Sequence, residues 1–64
     1  MNIKECLKNG NKIKIIINEN NTFKIYIISY DKGTYTATDQ QTNIQQDIKD
    51  IGKYLKKARL WKEL

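Results

Sequence analysis

Residues 12–30 read KIKIIINENNTFKIYIISY, and the fold turns on how this stretch is divided. From Lys12 the hydrophobic period is two: Ile13, Ile15 and Ile17 alternate with Lys12, Lys14, Ile16 and Asn18. That is the pattern of a half-buried strand. Glu19-Asn20-Asn21-Thr22 reads as a polar turn, because asparagine tolerates left-handed backbone. The run 23–30 alternates again, with Phe23, Ile25 and Ile27 assigned to the core side and Lys24, Tyr26, Ile28 and Tyr30 to the reverse.

Beyond Tyr30, Asp31-Lys32-Gly33 supplies a second hairpin loop, with Gly33 providing the positive φ such loops need. A third run sets Tyr35 and Ala37 against Thr34, Thr36 and Thr38. β-Branched and aromatic residues dominate all three runs. The reading is a three-stranded antiparallel meander with strands over 12–18, 23–30 and 34–39.

After Asp39 the period lengthens. Thr42-Asn43-Ile44-Gln45 has capping-box spacing, and Ile44, Ile48, Ile51, Leu55 and Ala58 fall on one helical stripe. Asp47 and Asp50 come early and Lys56, Lys57, Arg59 and Lys62 late, an order that complements a helix dipole. Together these predict a helix over 43–60, with Gly52 costing roughly 1 kcal/mol relative to Ala. At the other end, Ile3, Cys6 and Leu7 form a narrow apolar edge before Gly10, so residues 2–9 are either a short helix or an ordered arm.

The predicted fold class is therefore α+β, one domain over 1–64. A three-stranded antiparallel β-meander packs on one C-terminal α-helix, with a short N-terminal helix completing an (α)βββα order. The core expected from this arrangement is the helical stripe laid on Ile13, Ile15, Ile17, Phe23, Ile25, Ile27, Tyr35 and Ala37.

Composition excludes several functions. The chain has 64 residues, 12 Lys+Arg against 7 Asp+Glu, one cysteine and no histidine. A chain of this size hides only about 60% of its unfolded surface, which leaves little slack for an elaborate active site. Without histidine, no side chain has an unperturbed pKa between about 5 and 8. Cys6 lacks a disulfide mate and an activating base, so it reads as a small buried hydrophobe in a reducing, cytoplasmic setting. Asp31, Asp39, Asp47 and Asp50 take turn or helix-end positions rather than an acid–base pair. Gly10, Gly33 and Gly52 make no phosphate-loop spacing. The expectation is a protein that is not an enzyme and uses no metal or other cofactor and no membrane. Its eleven isoleucines, eleven lysines and seven asparagines, all favoured by AT-rich codons, point to a phage or other mobile element of a low-GC host.

Three surfaces are candidates for binding. The sheet face opposite the helix would carry Lys14, Lys24, Tyr26 and Tyr30, cations and rings suited to phosphates and bases. Ile16 and Ile28 on the same face would suit a protein partner or a second copy instead. The back of the helix would gather Lys49, Lys53, Lys56 and Lys57. Trp61, near the end of the chain, is an aromatic anchor of the kind that dominates interface hot spots.

The α-β-β-β-α order resembles double-stranded-RNA-binding domains, although the turn that carries their lysine cluster here reads Thr42-Asn43-Ile44-Gln45-Gln46-Asp47. A meander followed by a helix is also similar to the arm-site DNA-binding domains of some integrases. The leading functional expectation is a small basic regulatory protein that binds DNA or RNA through the open sheet face. The alternative is an inhibitor of a host or defence protein, using that face and Trp61. A homodimer through the same face is the third option.

Overall fold

The computed structural model describes residues 3–64, so Asn2, the first residue of the expected helix or arm, lies outside the described residues. The chain is α+β, with a five-stranded antiparallel sheet and two short helices. In chain order these are α1 (Ile3–Lys8), β1 (Ile13–Glu19), β2 (Thr22–Asp31), β3 (Thr34–Asp39), β4 (Gln45–Ile48), α2 (Ile51–Lys56) and β5 (Ala58–Glu63). The strands lie in the order β4-β3-β2-β1-β5.

Both hairpins form where the turn chemistry places them. Asn20 and Asn21 both have positive φ, 50° and 64°, as do Lys32 and Gly33 at 50° and 83°. Two consecutive left-handed residues make the primed turn whose twist matches paired strands. A two-residue loop closed by Glu19 and Thr22 fixes the register: Ile13 faces Ile28, Ile15 faces Tyr26 and Ile17 faces Lys24. Every odd-numbered β1 residue thus shares a face with an even-numbered β2 residue.

This parity corrects the expected core. Ile13, Ile15, Ile17, Tyr26, Ile28 and Ala37 are buried together with Cys6 and Leu7 of α1 and Ile51 of α2. Phe23, Ile25 and Ile27 belong to the opposite face, and Phe23 is 66% exposed. The run 23–30 is apolar at both parities, so alternation alone does not choose between its faces. The loop length chooses.

The long C-terminal helix does not form either. Asn43 takes a positive φ of 63°, Thr42 Oγ1 accepts from the Ile44 amide as a local turn, and 45–48 continues as β4 beside β3. Only Ile51–Lys56 is helical, started by Asp50, whose carboxylate accepts from the Lys53 amide at 3.0 Å. The chain then returns as β5 along β1. A three-stranded meander would leave the main chain of β1 and β3 bare along both edges. Pairing β4 and β5 there satisfies those groups, a gain that outweighs the helical pattern. The strands also explain Ile44, a member of the expected stripe that stands 66% exposed. With four strands before α2 and a fifth after it, the order departs from both nucleic-acid-binding domains that the sequence resembles.

Both helices cover one face of the sheet. α1 seats Cys6 and Leu7 on β1 and β2, and α2 seats Ile51, with Tyr54 and Leu55 packed at its margin. The Tyr54 ring meets Tyr26 edge to face, centroids 5.7 Å apart. The other face is left open.

Candidate functional site

The register determines what the open face presents. Three cross-strand rows cross it. Asn18 faces Phe23. Leu60, Ile16 and Ile25 form the next row, from β5 through β1 to β2. Lys62, Lys14, Ile27, Thr38 and Gln45 form the third, across all five strands. Beyond it lie Ser29, Thr36 and Asp47. An apolar cluster of Phe23, Ile25, Ile16, Ile27 and Leu60 therefore sits against two neighbouring lysines, with half-buried Thr38 and buried Thr36 on the far side. Leu60 is 66% exposed and Ile25 36%. Large side chains that remain accessible in one contiguous group mark a contact surface far better than scattered ones.

Two shallow depressions flank this cluster. One, of about 270 Å³, is lined by Lys14, Ile16, Leu60, Trp61 and Lys62. The other, also about 270 Å³, is lined by Phe23, Lys24, Ile25, Asp39, Gln40 and Gln41. The 39–44 loop that walls the second is rigidified locally. The Asp39 carboxylate accepts from the Gln41 and Thr42 amides, and the Asp39 carbonyl accepts from Asn43 at 2.7 Å.

The structure divides the seven residues expected to bind. Lys14 and Ile16 are on the open face. Trp61 pairs with Ile15, which gives it the parity of the helix-covered face, and it only borders the groove at the β5 edge. The other four are on the helix-covered face because of the odd–even pairing of β1 with β2. Ile28 is fully buried and Tyr26 nearly so against Tyr54. Tyr30 is half-buried on Tyr35, centroids 4.8 Å apart. Lys24 faces Ile17 and reaches Glu19 at 4.0 Å. The tyrosines on which bases were to stack are therefore occupied by the core. Phe23, Ile25, Ile27 and Leu60 are the open-face residues that sequence reasoning assigned elsewhere. The two-residue length of the Asn20-Asn21 turn was the signal for the first three.

The expected basic stripe on the helix back is also dispersed. Lys49 precedes α2, Lys53 and Lys56 lie on it, and Lys57 caps its end. Lys49, Lys53 and Lys57 line a polar depression that also holds Asp47 and Asp50. Opposite charges interleave there rather than forming a cationic patch.

Cys6 is 2% exposed beneath the sheet's covered face. Burial pushes its thiol up, and the neighbouring Glu63 carboxylate adds to the shift. It is therefore held as the thiol, the less nucleophilic form. Burial likewise raises the Tyr54 phenol, reinforced by Tyr26. Among the described residues no group of three His, Cys, Asp or Glu side chains is placed to hold a metal ion. No helix of the described residues is long and apolar enough to cross a membrane. Comparison with protein-family models, curated proteins and solved structures returns no match to this chain.

Proposed function

We propose that this chain is a small non-catalytic, regulatory protein-binding module whose open sheet face docks on another protein. The single observation behind this reading is the Leu60–Ile16–Ile25 row on the face away from both helices, with Leu60 and Ile25 exposed on either side of a half-buried Ile16. Beside it the adjacent Lys62 and Lys14 define the partner's chemistry: an apolar surface bordered by carboxylates. Burying the row supplies affinity at roughly 25 cal/mol per Å² of apolar area. The two cations supply orientation and speed of encounter more than strength.

This reading favours the inhibitor-type alternative over nucleic-acid binding, because Tyr26 and Tyr30 pack within the fold and Lys24 lies on the helix-covered face. Lys14 and Lys62 alone form a small phosphate-binding set.

The test is a pair of direct titrations by calorimetry. One uses a purified partner identified by capture on the immobilised chain, the other a mixed-sequence DNA duplex. Phe23→Ser/Ile25→Ser is expected to keep the unfolding midpoint and weaken partner binding at least ~10-fold, the effect of losing about 1.4 kcal/mol. Lys14→Glu/Lys62→Glu is expected to slow association. Unchanged partner affinity in the serine variant would reject the apolar face. Duplex binding that collapses steeply with salt and is lost in the Lys14→Glu/Lys62→Glu variant would reject the protein-binding reading in favour of nucleic acid.

A further inference from the structure

The sheet has two free edges, and β5 is the longer and more chemically distinctive of them. Its partner groups can be assigned. The Leu64 amide donates to the Lys12 carbonyl at 2.9 Å. In an antiparallel ladder the main-chain groups point alternately toward and away from the neighbour. Lys12, Lys14 and Ile16 therefore direct theirs to β5, and so do their partners Lys62 and Leu60 to β1. The first hairpin agrees: its closing pair Glu19 and Thr22 is hydrogen-bonded, which turns the odd-numbered β1 groups toward β2. Trp61 and Glu63, set between the inward residues of β5, consequently direct their N–H and C=O outward from the sheet.

A second copy can meet these outward groups about a two-fold axis, and charge selects the register. Centring the axis on Lys62 or Glu63 brings like charges face to face. Centring it on Leu60 pairs Trp61 with Arg59 and Lys62 with Ala58, so that no opposite charges meet within β5. Centring it on Trp61 pairs the two Trp61 residues through their outward groups. It also sets Arg59 of each copy opposite Glu63 of the other. Trp61, 43% exposed on the rim, gains an aromatic cross-strand neighbour.

We propose that two copies of this chain join edge to edge through β5, antiparallel and centred on Trp61, into one continuous sheet. The contact is isologous and closes at two. It covers the β5 edge, which would otherwise remain a template for uncontrolled pairing. It also sets the two open faces side by side, so the dimer presents a surface twice as long as that of one chain.

Sedimentation velocity on the full chain, from low-micromolar to near-millimolar concentration, tests this. A monomer–dimer equilibrium is expected, with the fluorescence of Trp61 shifting over the same range. Trp61→Pro removes the outward N–H together with the indole and is expected to give a monomer with the far-UV spectrum of the parent, and Trp61→Phe, which keeps the N–H and an aromatic ring, is expected to keep the dimer. Arg59→Glu is expected to weaken the dimer at least ~10-fold by facing Glu63 with a like charge, and Arg59→Glu/Glu63→Arg to restore it. A monomer at every concentration would overturn the proposal. So would a dimer that survives Trp61→Pro, a charge swap that fails to rescue while each variant stays folded, or species growing past the dimer through β4.

Discussion

Ile28→Ala is expected to lower the unfolding free energy by about 2–5 kcal/mol, the range for removing a buried isoleucine and leaving its space unfilled. Ile28 is fully buried at the centre of the sheet, facing Ile13 on β1 and Ala37 on β3. Neither neighbour can collapse into the gap without moving a strand that is held on both sides. At about 0.05–0.15 kcal/mol per residue, a domain of this size holds only a few kcal/mol in total, so the substitution removes much of it. Its sequence neighbour supplies the contrast. Ile27 points to the open face between Lys14 and Thr38, and Ile27→Ala should cost distinctly less. Urea denaturation followed by circular dichroism measures both. Equal losses at the two positions would mean that both faces of β2 are packed.

The second large effect is expected at the first helix. α1 spans six residues, well under the roughly 12–15 that persist as a helix alone in water. Its structure therefore depends on docking Cys6 and Leu7, which are 2% and 0% exposed. Leu7→Asp would bury a carboxylate with no partner, a cost exceeding the stability available, and the chain should be unfolded at room temperature. Leu7→Ala should cost about 2–5 kcal/mol by loss of packing. Exposed Lys8→Ala on the same helix should change stability by no more than about 0.5 kcal/mol. A cooperative, undiminished unfolding transition in Leu7→Asp would show α1 to be an appendage rather than part of the core.

The contrast between Ile27 and Ile28 also marks how far the sequence was legible. Three strands, both turns and the covered face of β1 could be read from residue type alone, because alternation and turn chemistry agree there, whereas residues 2–9 stayed open between helix and arm because so short a helix depends on docking. β2 could not be oriented that way. Phe23, Ile25 and Ile27 compete with Tyr26, Ile28 and Tyr30 on equal hydrophobic terms, and the deciding constraint is the length of the Asn20-Asn21 loop. That one-residue parity moved four of the expected binding residues off the open face and brought Phe23, Ile25 and Ile27 onto it.

The region after Asp39 failed for a different reason. Ile44, Ile48, Ile51, Leu55 and Ala58 do have helical spacing, but local periodicity carries no information about bare sheet edges elsewhere in the chain. The unpaired main chain of β3 and β1 drew 45–48 and 58–63 into strands. What survived of the helix is the segment Ile51–Lys56, where Asp50 provides a start and Ile51 reaches the core. Leu60 belongs to the binding face, and Trp61 borders it, only because β5 exists, so their grouping with Lys14 and Ile16 was invisible before the topology was known.

The face assignment of β2 underlies the binding surface, and proton NMR reads it most directly. In antiparallel pairs that are not hydrogen-bonded, opposing Cα atoms approach to about 4.5 Å, close enough for strong Hα–Hα Overhauser contacts. The register described here requires such contacts between Asn18 and Phe23, between Ile16 and Ile25, and between Lys14 and Ile27. Their absence, with Ile16 instead contacting Lys24 or Tyr26, would place Phe23, Ile25 and Ile27 on the other side of the sheet and contradict the account.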